Sequence, residues 1–171
     1  MYSMQAQAPE VMEDQKTPED TDAPKIGALV QQLIMMASML KELETQSHLI
    51  HANAEGSNFL ALHEFLKKQY EQHLDQLDHV LELVRTLNHF APVCSRCLAN
   101  ALPDFIHATT YETRSMLIAY FQNLENMGEV AKVVGESARE ANAPDVDNYM
   151  AELCGDAYKA SWMIKATLRG C

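Results

Sequence analysis

Residues 51–82 read HANAEGSNFLALHEFLKKQYEQHLDQLDHVLE, and the spacing within this stretch decides the fold. After the turn signal Glu55-Gly56-Ser57, the apolar positions Phe59, Leu62, Leu66, Tyr70, Leu77, Leu81 and Val84 recur at helical intervals. That pattern predicts one amphipathic helix over residues 58–87. His63, Lys67, Asp78 and Glu82 share one side of it. At about 100° per residue, Lys67, Asp78 and Glu82 lie about 40°, 60° and 100° round from His63, a face roughly a quarter-turn wide. Their heights differ greatly: His63 and Asp78 are 15 residues apart, about 22 Å along the axis, too far to grip one ion within a single molecule. A two-fold axis removes that difficulty, because residue pairs 63 with 82 and 67 with 78 share a midpoint between residues 72 and 73. Two antiparallel copies crossing there set His63 opposite Glu82 of the partner subunit and Lys67 opposite Asp78 of the partner subunit. Such reciprocity is the mark of an isologous contact.

Toward the N-terminus, Leu29, Val30, Leu33, Ile34, Ala37, Leu40, Leu43 and Ile50 keep helical spacing from Ile26 to about Ala52, a helix of about 40 Å. The short turn at Glu55-Gly56 folds the next helix back antiparallel, which carries His51 alongside His63. Met35, Met36 and Met39 are soft donors by type, but flexible thioethers at these spacings read as core filling. Residues 1–25 hold three prolines and six acids against two lysines, with no periodic apolar face, and predict a disordered acidic tail. The remainder, residues 26–171, is then one domain.

Toward the C-terminus, Pro92 and Pro103 interrupt the long helices and leave room for a short helix from Ser95 to Leu102. Cys94 and Cys97 form a CxxC. A structural zinc needs four ligands and this motif supplies two, with His89 and His107 only distant helpers. A zinc half-site, a redox pair and ordinary thiols on a short helix all fit, the last being favoured. Cys154 and Cys171 complete the four cysteines, which read as thiols rather than a disulfide framework. Thr109-Thr110-Tyr111-Glu112 has the form of a capping box opening a helix that runs to about Glu140. Asn142-Ala143-Pro144 then reads as the start of a last helix, with Asn142 as cap and Pro144 in the first turn. That helix carries Tyr149, Met150, Leu153, Ala157, Ala160, Trp162, Met163 and Leu168 and ends near Gly170. The expected architecture is all-α: a four-helix bundle with a short extra helix in the crossover between the second and third long helices. No internal repeat, glycine-rich phosphate loop or nucleophile elbow is present.

At 171 residues the chain is long enough to bury about 70% of its unfolded surface. A net charge of −11 argues against duplex DNA as a partner, since affinity there comes from phosphate neutralisation by Lys and Arg; it suits cations instead. No run of 18 apolar residues and no apolar signal core occur, so the expectation is a soluble cytoplasmic protein without a membrane partner.

The pattern HxN-xx-G-xNFxxxHExL over residues 51–66, followed by D-xxx-E at Asp78 and Glu82, resembles the Dps or miniferritin family. The match spans about residues 45–82 and returns more weakly near Asp156, Lys159 and Trp162. The resemblance implies a ferritin-like bundle, a shell of twelve subunits built from two-fold dimers, and a di-iron ferroxidase centre at each dimer interface. Such a shell oxidises ferrous iron with peroxide or oxygen, stores the product and limits iron and peroxide damage. The ligands it implies are His51 and His63 from one subunit with Asp78 and Glu82 from the other. Imidazole with carboxylate is a donor set ferrous iron accepts, and acids four apart on a helix converge on one ion. Two positions depart from the family: Ala52 stands where a tryptophan is usual, and Lys67 stands where an aspartate is usual. An ammonium there puts positive charge where a second metal would sit, so one ion is expected in place of two, with weakened ferroxidase activity. DNA-binding members carry a basic tail, whereas this one is acidic. Two alternatives remain open: a storage or structural shell with little ferroxidase activity, and a helical interaction protein.

Overall fold

The computed structural model describes the backbone of residues 18–169 and the side chains of residues 23–169. Five helices, α1 (Pro18–Asn53), α2 (Phe59–Thr86), α3 (Ser95–Ala99), α4 (Thr113–Glu140) and α5 (Pro144–Arg169), account for the regular structure, with no strand among the described residues. α1 and α2 form one antiparallel hairpin, α4 and α5 form a second, and α1 packs on α4 to join them. The long stretch from α2 to α4 carries α3 and makes the crossover. This is the ferritin-like four-helix bundle with an extra short helix.

The chain is already helical at Pro18, ahead of the expected start at Ile26, so the tail expectation does not hold for the backbone of residues 18–25. The rest of the expected tail, residues 1–17, lies outside the described residues. α1 is the central helix: Met36, Ala37, Ser38, Met39 and Leu40 are all buried in succession, which requires neighbours all round. Met36 and Met39 are core residues, as their spacing implied. Among the described residues α1 alone is long and apolar enough to cross a membrane, but its Leu29, Leu33, Leu40 and Leu43 are fully buried in the bundle.

The C-terminal ends of α2 and α4 both use asparagine. Asn88 (φ 60°) follows α2 and Asn142 (φ 54°) follows α4, each in the left-handed region that short polar side chains tolerate. Asn142 N–H donates to the Arg139 carbonyl (3.2 Å) and Ala143 N–H to the Ala138 carbonyl (2.9 Å), closing α4 with a Schellman motif. Asn142 therefore ends α4 and does not cap α5, correcting the sequence reading. The predicted capping box is also displaced. α4 begins at Thr113 with Glu112 before it, and Ser115 Oγ donates to the Glu112 carboxylate. The hydroxyl that matters is Thr113, which accepts from Glu55 N–H (2.9 Å) and donates to the Glu55 carbonyl (3.1 Å), latching the α1–α2 turn to α4.

The crossover is pinned by three amides. Asn123 Oδ1 accepts from Ile106 N–H (2.9 Å), while Asn123 Nδ2 and Gln46 Nε2 both donate to the Ile106 carbonyl (2.8 and 2.9 Å). Asn123 Nδ2 also donates to Gln46 Oε1 (2.9 Å). Upstream, α3 stops at Ala99, short of the expected Leu102, and Cys94 and Cys97 are joined in a disulfide. The reading of that pair as ordinary thiols is corrected: their Cα atoms are 5.3 Å apart, within bonding reach.

Candidate metal centre

The last turn of α1 and the first turns of α2 meet at the hairpin, and there the two histidines pair reciprocally. His51 Nδ1 bonds the His63 carbonyl (2.9 Å) and His63 Nδ1 bonds the His51 carbonyl (3.1 Å). A carbonyl only accepts, so each Nδ1 carries the proton and each Nε2 keeps its lone pair. The rings stack with centroids 3.6 Å apart and planes 21° from parallel. Tyr70 meets His51 edge-on at 5.5 Å and stacks on His48 at 4.2 Å, while Phe59 lies 5.0 Å from His63. Both imidazoles are half-buried and oriented before any ligand arrives. Phe59 and Tyr70 read from sequence only as members of an apolar stripe. Their spacing from His63, four before and seven after, was the available sign that they flank it.

The carboxylates do not join the histidines within the protomer. Asp78 and Glu82 are exposed farther along α2, and no three His, Cys, Asp or Glu side chains gather to hold a metal among the described residues. Lys67, one turn after His63, is exposed, with its ammonium 4.0 Å from Glu71 on the same helix. The chain therefore presents two prepared nitrogen donors at the hairpin end of α2 and two carboxylates farther along the same helix.

The bundle interior is committed to something else. Ferritin-like di-iron carboxylate proteins draw inward-pointing Glu and Glu-x-x-His ligands from four helices. Here Tyr120 hydroxyl donates to His73 Nε2 (2.8 Å), His73 Nδ1 donates to Gln76 Oε1 (3.0 Å), and Gln76 Nε2 donates to Asp156 Oδ2 (3.1 Å). Gln72 Nε2 donates to the same oxygen (2.7 Å). Every link has a donor facing an acceptor, and the chain ties α2 to α4 and α5. Burial lowers the His73 pKa to about 4, against the upward pull of Gln76, Glu44 and Asp156, so its imidazole is neutral at pH 7. Burial also pushes the Tyr120 phenol up. Sequence reasoning did not find this network, because isolated polar residues on a helix do not announce partners on other helices.

A long-crossover four-helix bundle with paired imidazoles at one hairpin defines a class of ferritin-like subunit. The chain belongs to the Ferritin-like domain family, whose model matches residues 29–171. No curated protein sequence matches it. Among solved structures it is similar to antigen TpF1 from Treponema pallidum, with 24% identity over 95% of this chain and 99% of that one, at a TM-score of 0.78. Dps from Thermosynechococcus elongatus is 15% identical over 86% of this chain and 94% of that one, at a TM-score of 0.82. Dps from Vibrio cholerae O1, described as a member of a broad superfamily of ferritin-like diiron-carboxylate proteins, is 18% identical over 85% and 91%, at a TM-score of 0.78. The fold is that of the Dps miniferritins.

Proposed function

We propose that this chain is a miniferritin subunit that binds ferrous iron as substrate, oxidises it with peroxide or oxygen, and stores the product inside a closed homo-oligomeric shell in the cytoplasm. In this reading His51 and His63 of one protomer and Asp78 and Glu82 of the partner subunit complete one site across a two-fold axis. The observation that carries it is the reciprocal Nδ1-to-carbonyl pairing of His51 and His63, which leaves two Nε2 lone pairs ready at a surface lacking its carboxylates. Neutral imidazole held by a second hydrogen bond is how proteins orient a metal ligand, and carboxylates offset the charge that grows as iron loses an electron. Twelve subunits is the assembly implied by resemblance, and the net charge of −11 disfavours DNA binding.

Lys67 favours a second reading, a storage shell with weak ferroxidase chemistry. Its ammonium repels a second cation, so we expect one iron per interface site, held by His51, His63, Asp78 and Glu82. Anomalous diffraction from crystals soaked anaerobically in ferrous iron tests both readings. One peak within bonding distance of the histidine Nε2 atoms and of carboxylates from a neighbouring copy is the expected result. A peak inside the bundle near His73, or none at the histidines, would sink the proposal.

A further inference from the structure

We propose that Cys94 and Cys97 are a redox couple, an exposed disulfide that takes two electrons from a dithiol donor and passes them to a peroxide. The couple shares no residue with the proposed iron site and does not depend on it.

Six observations carry this. The sulfurs are bonded and both side chains are exposed, whereas the other cysteine with a described side chain, Cys154, is part-buried and free. The bond closes a loop with only two residues between its cysteines, and a cross-link's hold on the unfolded chain weakens as the loop shortens, so this one contributes little as a staple. α3 has no fully buried residue and only Leu98 packs partly on the core. The segment is anchored on both sides, by the Schellman turn through Asn88 and His89 and by the amide clamp on Ile106, so opening the bond leaves the long helices in place. Cys97 N–H donates to Cys94 Sγ (3.1 Å), a contact that stabilises a thiolate on Cys94 when the bond opens, and Arg96 adds a cation within the motif. Val93, beside Cys94, is 97% exposed in the protomer, which leaves the sulfur open to approach.

The electron balance is complete with a dithiol and a peroxide as co-reactants. A donor thiolate attacks Cys97 Sγ, the Cys94–Cys97 bond breaks, and Cys94 leaves as the thiolate held by the Cys97 amide. The donor's second thiol then releases Cys97 as a thiol and departs as a disulfide. In the return step Cys94 thiolate attacks a peroxide oxygen, the O–O bond breaks, and hydrogen peroxide yields one water and a Cys94 sulfenic acid. The Cys97 thiol condenses with that sulfenic acid, the disulfide re-forms and a second water leaves.

The test uses the full chain with Cys154→Ser and Cys171→Ser, so that only the pair remains. Graded mixtures of reduced and oxidised dithiothreitol are followed by maleimide trapping and mass spectrometry; trypsin cleavage after Arg96 separates the two cysteines unless they are bonded. Two thiols per chain should titrate together and reversibly, with helical circular dichroism and assembly mass unchanged. One equivalent of hydrogen peroxide should restore the bond, about tenfold or more faster than it oxidises Cys154 in the unsubstituted chain. Cys97→Ser should stop at a sulfenic acid that dimedone traps, and Cys94→Ser should abolish the fast peroxide step. A bond that survives saturating reduced dithiothreitol in the folded protein would overturn the proposal. So would reduction that melts or dissociates the protein, thiols blocked by bound zinc, or peroxide reactivity no greater than that of Cys154.

Discussion

At the scale of single residues, Lys67 is where this chain departs most from the Dps pattern it resembles. The structure gives the ammonium a neighbour, Glu71 at 4.0 Å, but both side chains are about half exposed, so that pair contributes little. Replacing Lys67 with Asp would add a ligand beside His63 and remove a cation. Like charges about 4 Å apart cost about 4 kcal/mol at an effective dielectric of 20. Lys67→Asp should therefore tighten anaerobic ferrous binding by at least about tenfold and speed ferrous oxidation, with a second iron appearing per site. Calorimetric titration showing two irons already bound in the unsubstituted site would refute this argument. His73 makes a separate prediction. Its folded pKa of about 4 lies below the ordinary 6.5, so the unfolded chain binds the extra proton between those values. The His73 contribution is complete above pH 6.5 and is lost as pH falls toward 4, amounting to roughly 3 kcal/mol. Denaturant midpoints should fall over that window, and more steeply in the native chain than in His73→Gln; parallel slopes would count against it. The histidines and carboxylates of the proposed site were legible in sequence because they sit at fixed intervals. The Nδ1–carbonyl pairing was not, because backbone acceptors leave no trace in residue identity.

At the scale of elements, four helix positions followed from apolar periodicity, and the errors fell at helix ends. Thr109 and Thr110 matched a capping pattern, yet α4 starts later because Thr113 bonds Glu55 from the distant α1–α2 turn. Asn142 before Pro144 looked like a cap, yet the left-handed turn that ends α4 claimed it first. In both places a tertiary demand overrode a local signal. The crossover shows the same dependence. Asn123, 1% exposed on α4, satisfies both backbone groups of Ile106 and one amide of Gln46. Asn123→Ala leaves the Ile106 N–H without its acceptor and Gln46 Oε1 without its donor, at a cost of roughly 1–3 kcal/mol. Urea unfolding should show that loss, while hydrogen exchange should rise in residues 100–112 more than in α1. Uniform exchange across the chain would mean the clamp does not hold the crossover.

At the scale of the whole molecule, the protomer leaves apolar surface on the side that carries the histidines. Leu74 is 54% exposed and Leu60 77%, both on the face of α2 that bears His63. Leu77, three residues farther along α2, is only 8% exposed and belongs to the bundle core. The distinction follows from angle: Leu74 lies about 20° round from His63 toward Lys67, while Leu77 lies about 40° to the other side, over α1. The proposed axis between residues 72 and 73 would bring the two copies of Leu74 close to one another, so a change there would count twice. Leu74→Glu would set two like charges near the axis, in place of apolar contact, while leaving the protomer core untouched. Light scattering of the native chain should give a closed assembly, near 230 kDa if it is twelve copies of 19.2 kDa. Leu74→Glu should shift the mass toward the protomer, with helical circular dichroism retained, and iron binding should fall with it because Asp78 and Glu82 would no longer face His51 and His63. A native chain that scatters as 19.2 kDa at micromolar concentration would remove the shell, and iron uptake that survives full dissociation would move the metal site off the interface.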